Sequence, residues 1–527
     1  MKLNLTIAWF LLLGTGFNVF SASVKGYSER AENKIAVQKH GDKVYIRSWF
    51  SPSQDVSICM NKGVNRQINY YNVAIIPATA PLSKVNYTRK EIIHYCHDDA
   101  TPQKIISTFI GANHGCSDAR ELTISGHGLT TKDIGTVWKD SRGDIYYPIK
   151  IVNDSKIWVL GENKGQNGIW KFNRRITPGD FVSPSGKKLT IKRAVLAQMH
   201  PALRINKQQY LINGKTPLKD GKPVICDYLD IIEEYDIVAP DSLLEVIKKN
   251  PGKKANFIAP GIDALLTDKT TYQFQPRGVC LIDNQVIPNR DFRTYFSTPV
   301  MSMLITKLNN YDSLTYYIPK TKPFENSGIQ YDFNSIQDFS KPMKGYLSFK
   351  AANKNIDPTN PPNRFIQFLG KTENGKNVNK VAYAFGIIND FGIGKSEERI
   401  KNVTEMLFIP RSRKTYPRTL DHKAGVLKAG TNFHSRGYKN YFNPQPYKKA
   451  SSVYWHKQDK AIRLYIDYHQ AVDKDVIKLP ESFVGMKIEV VEKTPSIELL
   501  TKDKVPEQGI TVSVTGKQAY LVLDLIK

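Results

Sequence analysis

The chain is short of cysteine, of helix signals and of acidic residues, and each shortage removes a class of protein. Its five cysteines, Cys59, Cys96, Cys116, Cys226 and Cys280, are odd in number and few for 527 residues. A disulfide scaffold is therefore excluded. At most one bridge fits, with Cys96 and Cys116 the natural pair. Beyond the N-terminus no apolar run approaches the roughly 20 residues that a membrane-spanning helix needs. No glycine-rich nucleotide loop, zinc-metalloprotease signature or nucleophile elbow is present, so none of those chemistries has support from a motif. No repeat of fixed period and no low-complexity tract occurs, which leaves solenoids and propellers unsupported. Asp and Glu number 49 against 75 Lys and Arg, giving a net charge of +26.

What is there describes a large, exported, globular protein. At 41% hydrophobic, 11% aromatic and 24% charged residues the chain can bury a substantial core. Residues 1–23 read as a secretory signal: Lys2 supplies the charged start, Ile7 to Leu13 the apolar run, and Val19 to Ser23 the small-residue cleavage region. The first cysteine, Cys59, lies too far on for a bacterial lipoprotein, so a secreted or periplasmic product without a stable membrane anchor is expected. Outside a cell the polyanions are acidic glycans, wall polymers and surface lipids rather than nucleic acid. An anionic polysaccharide is the expected partner. The bland alternative is charge spread evenly for solubility.

Local patterns are those of strands and tight turns. Asp144 to Ile151 is rich in strand formers, Asn153-Asp154-Ser155 supplies a turn, and Lys156 to Leu160 returns. Turns follow at Asn213-Gly214, Asp220-Gly221 and Pro276-Arg277-Gly278. From Ile462 to His469 apolar and polar residues alternate, the pattern of a half-buried strand. The best helix signal is Asp241 to Lys249, stopped by Asn250-Pro251-Gly252. Together these predict an all-β fold of two β-sandwich-like domains with few short helices. An N-terminal domain of residues 24–255 carries the candidate catalytic residues, and a C-terminal domain spans 256–527.

Five of the ten histidines, His94, His97, His114, His127 and His200, lie between positions 94 and 200. Glycines flank His114 and His127, which lets backbone approach a ligand and leaves the imidazoles uncrowded; the same arrangement suits turn residues that satisfy neighbouring backbone groups. His94, Cys96, His97, Cys116 and Asp118 include donors suited to zinc, but their spacing matches no familiar zinc motif, so no metal centre is assigned. No cofactor is expected, and the chemistry leaves room for a structural divalent cation. Arg204, next to Ile205 in an extended segment, offers a planar fork for a carboxylate or sulfate, or a surface ion pair. Three C-terminal stretches mix aromatics with cations in a way that suits an anionic sugar or a sandwich edge. They are Pro361 to Phe365 with Arg364, His434 to Tyr441 with Arg436 and Tyr438, and Tyr454 to Lys457.

The signal segment, Phe109 to Gly115, Pro361 to Phe365 and the closing β region from Leu479 to Leu523 together resemble secreted polysaccharide lyases of glycan-degrading bacteria. The resemblance is to the broad-specificity ulvan lyases, and next to lyases of chondroitin sulfate and hyaluronan. It implies β-elimination beside a uronic acid, in ulvan between rhamnose 3-sulfate and glucuronate or iduronate, leaving an unsaturated uronate. That reaction needs a neutraliser for the uronate carboxylate, a base for the C5 proton and an acid for the C4 oxygen. Asn113 and Arg204 fit the first role, His114 and His200 the second, and Tyr210 the third or both proton-transfer roles together, with His127, Arg364, Arg436 and Tyr438 as substrate-binding residues. Two other classes stay open. A non-catalytic glycan-binding protein would need no base, and a glycoside hydrolase would use paired carboxylates, for which Asp98, Asp99, Asp118 and Glu121 are available.

Overall fold

The structure is a computed structural model. It describes residues 31–62, 68–80, 92–95, 120–140, 145–162, 180–182, 186, 188–190, 193–196, 203–238, 249, 263–290, 292–294, 304–305, 313–318, 329–332, 347–348, 363–373, 376–387, 403–409, 414–420, 425–443, 449–468, 470–516 and 519–527. The signal segment, Asn113, His114, His200, Cys96 and Cys116 lie outside these residues, as does all of the expected 241–249 helix except Lys249.

The described elements are strands, all antiparallel within their sheets, and two single 3-10 turns at Thr131–Asp133 and Glu481–Phe483. The fold class is thus all-β. The predicted 145–160 hairpin forms: Ile145–Asn153 pairs with Lys156–Glu162, and the Asn153 side chain accepts from Ser155 N at 3.0 Å to close the turn. Asn213 and Gly214 adopt left-handed φ of 50° and 71°, the conformation in which Asn and Gly are least strained.

A ten-stranded sheet is the centre of the molecule. Its middle runs from Leu203–Ile212 through Leu229–Val238, Ala264–Gln275 and Val279–Pro288 to Phe433–Phe442. Residue 255, where composition suggested a domain boundary, falls between two strands of this sheet that pair from Leu229 with Phe274 to Val238 with Ala264. Along Leu229 to Asp236 every second residue is buried and the others are half-buried, so the sheet has a closed face and a more open one.

The closed face packs on a six-stranded N-terminal sheet. Ile35, Ile46, Val56, Ile58 and Val73 meet Ile231, Tyr272, Phe274, Ile282 and Tyr441 in one apolar core. At one end of the opposite face, Val279, Leu281, Tyr438 and Phe442 pack with Tyr454, Tyr465, Tyr520 and Val522 of the C-terminal sandwich. This second contact corrects the expectation for the strand Ala461–Tyr468. Ile466 and Tyr468 face the interior of the sandwich as the alternation implies, but Tyr465 and Asp467 are buried as well, because their side faces another sheet. A separate seven-stranded sheet from residues 120–196 has its own core around Leu122, Trp138, Tyr146 and Ile157.

One hairpin turn ties these layers. Gly278 N donates to Ser48 Oγ of the N-terminal sheet at 2.7 Å. Gln275 bonds both backbone groups of Trp455, donating to its carbonyl at 2.6 Å and accepting from its N–H at 3.0 Å. Arg277 reaches Ala450 O and Glu32 Oε2, each at 2.8 Å. A Cβ on Gly278 would stand 2.5 Å from the Tyr441 carbonyl oxygen, whereas one on Gly430, at the same φ of 73°, would meet nothing within 4 Å. Gly430→Ala should therefore cost only the left-handed strain of about 1 kcal/mol, and Gly278→Ala at least about 3 kcal/mol, read from urea midpoints. Equal losses would contradict this account of the turn.

Candidate functional site

Two polar groups sit back to back on the central sheet. Both depend on the strand Val279–Pro288, where consecutive residues point to opposite faces: Asn284 is buried on one side and Asp283 is half-buried on the other.

The buried group interrupts the apolar core. Asp268 is fully enclosed and accepts from Thr270 Oγ1 at 2.8 Å and from Asn284 Nδ2 at 3.0 and 3.1 Å. Glu233, also buried, accepts from Gln208 Nε2 at 2.7 Å. Tyr235 stands directly opposite Asp268 on the neighbouring strand. Burial pushes the Asp268 carboxyl up to about 6, against the opposing pull of its donors. Tyr210, the proton donor proposed from sequence, lies toward this side. Its hydroxyl finds no hydrogen-bond partner among the described residues, and the Lys39 ammonium sits 5.7 Å from its ring centroid. Burial, then the charges of Glu233 and Asp42, hold its phenol above the ordinary range. Such a phenol keeps its proton and is a weaker acid than a free tyrosine.

The half-open group has a different chemistry. His434 Nε2 is 2.7 Å from Asp283 Oδ1, and Arg436 donates to Asp283 Oδ2 from Nε at 2.8 Å and from Nη2 at 2.5 Å. Asp283 faces Arg436 across the strand pair, with His434 on the diagonal. Burial pushes the Asp283 carboxyl up, but the His434 bond and the Arg436 charge outweigh it and leave it below the ordinary carboxylate value. An ionised carboxylate only accepts, so Nε2 carries the proton, and in the neutral imidazole Nδ1 is the basic nitrogen. The side chains of His434 and Asp283 are 23% and 25% exposed, enough to meet a ligand.

Of the other residues chosen from sequence, Arg204 and Arg364 occupy strand positions opposite Asp236 and Gly386, and their side chains lie outside the description. Two of the choices are buried. His127 is 2% exposed, its Nε2 lies 2.7 Å from Asn153 O, and its Nδ1 accepts from Leu129 N at 2.9 Å, so it braces a turn. Tyr438 is fully buried and stacks on Tyr454 at 4.8 Å, in the contact between sheets. Asp283 was missed, although His434 and Arg436 at i and i+2 on a strand were a readable sign of a shared face. Among the described residues no group of three or more His, Cys, Asp or Glu side chains is arranged to hold a metal. Cys59, Cys226 and Cys280 are buried and in no disulfide, and burial raises the Cys59 and Cys226 thiols to about 12.

The raised Asp268 value gives a signed expectation. With a folded value of about 6 and an ordinary value of 3.8, Asp268 stays protonated in the fold over a range where the unfolded chain has already ionised. Stability from this group is complete below pH 4 and falls as pH rises through 6, by up to about 3 kcal/mol. Asp268→Asn should thus gain on the native protein between pH 4 and pH 7 in urea titrations. A difference that does not vary with pH would reject the assignment.

No family model matches this chain, and no curated protein does. Solved structures with some likeness to it include a galactose 1-epimerase from Lactobacillus acidophilus, at 9% identity and TM-score 0.26, covering 78% of this chain and 98% of that one. A putative mutarotase from Salmonella typhimurium matches at 6% identity and TM-score 0.25, covering 78% and 94%. A putative aldose 1-epimerase from Klebsiella pneumoniae matches at 10% identity and TM-score 0.22, covering 62% and 92%.

Proposed function

We propose that this protein is an exported carbohydrate-active enzyme, a lyase that cleaves a uronate-containing, sulfated polysaccharide by β-elimination, with ulvan as the first substrate to try. The observation that carries the reading is the Asp283–His434–Arg436 group: an imidazole oriented by a carboxylate, beside a guanidinium, on the half-open side of the sheet. The net charge of +26 supports a polyanionic partner.

In this reading Arg436, buried and paired with Asp283, contributes positive field from beneath the place where the uronate carboxylate gains enolate character as the C5–H bond weakens. His434 Nδ1 takes the C5 proton, and Asp283 stabilises the imidazolium that results. The C5–H electron pair forms the C4=C5 double bond, the C4–O bond breaks, and the departing oxygen recovers a proton from the imidazolium. One residue serves as base and then acid. The set chosen from sequence, His114, His200 and Tyr210 with Asn113 and Arg204, is the competing proposal. It cannot be merged with this one, because Tyr210 and His434 belong to opposite faces of the sheet.

Incubation with ulvan, chondroitin sulfate, hyaluronan, heparin and alginate, followed by ultraviolet absorbance, tests the reaction, since only elimination creates a double bond conjugated with the carboxylate. His434→Ala should lower kcat at least about 100-fold, the usual scale for a lost general base. Retained turnover in that variant with loss in Tyr210→Phe would move the site to the other face. Polymer left intact by the native protein on every substrate would favour a non-catalytic glycan binder.

A further inference from the structure

The half-open face of the central sheet continues beyond His434 as two rows of side chains that cross the strands. One row runs Lys207, Glu234, Lys269, Gln285, His434, each directly opposite the next in the strand pairing. The second runs Gln209, Ile232, Thr271, Asp283, Arg436. Neighbouring strands are about 4.8 Å apart, so a row of five positions spans roughly 19 Å. The burial of these positions is layered by charge. Lys207, Gln209 and Lys269 are exposed, while Glu234, Asp236 and Asp283 are only partly so. The recessed carboxylates are engaged: Glu234 by Lys269 at 3.5 Å, Asp236 by Thr267 at 2.8 Å, and Asp283 by His434 and Arg436. The outermost layer therefore offers two ammonium groups and an amide, all hydrogen-bond donors. The Lys269–Glu234 contact is surface-exposed and weak, so an incoming anion can displace it.

We infer that this face is the binding track for an extended anionic glycan, which lies across the strands from Leu203–Ile212 to Phe433–Phe442 with Lys207 and Lys269 pairing its sulfate or carboxylate groups. The inference rests on the proposed glycan partner and extends it by giving the chain a direction and a path to His434. Lys207 and Lys269 are separated by one strand, which spaces the two charges along the track rather than at one point. Among the described side chains of this face, the cations Lys207, Lys269 and Arg436 stand against the acids Asp230, Glu234, Asp236 and Asp283. Attraction here thus depends on which groups stand outermost and not on a general excess of charge.

The test is binding, measured apart from turnover. Affinity electrophoresis in gels containing ulvan or chondroitin sulfate compares the native protein with Lys207→Ala/Lys269→Ala and with a charge-matched control, Lys502→Ala/Lys504→Ala, whose lysines are exposed on the C-terminal sandwich. The track predicts about tenfold weaker retention for the first variant at low ionic strength, a loss that shrinks as salt rises, and native retention for the control. Thermal unfolding followed by circular dichroism should be unchanged in both. Equal weakening in the two variants, or none in the first, overturns the track. A negative ultraviolet assay with selective loss of binding would reject the lyase and keep the track; product formation with unaltered binding would do the reverse.

Discussion

The turn Pro276-Arg277-Gly278, with Gln275 at its base, is the constraint on which the rest of the structure depends. Three layers meet there: the N-terminal sheet through Ser48, the central sheet through the backbone of Tyr441, and the C-terminal sandwich through Ala450 and Trp455. The contacts involve groups that would be costly to bury alone. Arg277 is 5% exposed, and its charge is met by Glu32, which Lys449 also approaches; Lys449 in turn pairs with Asp475. Asp475 accepts from Tyr468 and from the Ala450 N–H. Gln275 treats the Trp455 backbone as a neighbouring strand would, satisfying an edge that the sandwich presents to the interior. Apolar burial supplies most of the driving force for stacking the sheets, but it has no direction. The polar turn gives the stack one registration.

That registration leaves the central sheet covered unequally. The closed face meets the N-terminal sheet and holds Asp268 and Glu233 beside a core built mainly of Ile, Val, Leu, Phe and Tyr. Among the described residues, Val279, Leu281, Tyr438 and Phe442 on the open face pack on the sandwich, and beyond them Asp283 and His434 are partly exposed with Arg436 buried beside them. Adjacent residues of one strand thus serve different ends. Asn284 ties strands together through Asp268, while Asp283 orients an imidazole. Burial in the closed core raises the Asp268 carboxyl to about 6, while the His434 bond and the Arg436 charge hold Asp283 below the ordinary carboxylate value.

Much of the fold was legible locally. The Asn153-Asp154-Ser155 turn, the left-handed Asn213-Gly214 pair and the strand ending at Tyr468 are each written in a few residues, because turn chemistry and two-residue periodicity act over short distances. The candidate site was less legible. His434 and Arg436 were visible as a cation-bearing stretch, but Asp283 lies 151 and 153 residues earlier, and nothing local links it to them. His127 shows the opposite case: flanking glycines that free a backbone for a ligand also leave it free to bond the imidazole, as Leu129 N and Asn153 O do.

The sequence by itself determined the all-β class, the positions of the tight turns and a basic balance, since all three follow from the identity of near neighbours or from counting. Tertiary structure alone decided which strands stand side by side and which of their faces is open. That pairing placed Asp283 beside His434, buried Tyr438 between sheets and put Tyr210 on the face opposite His434, because strand pairing joins residues far apart in the chain and each strand has two sides.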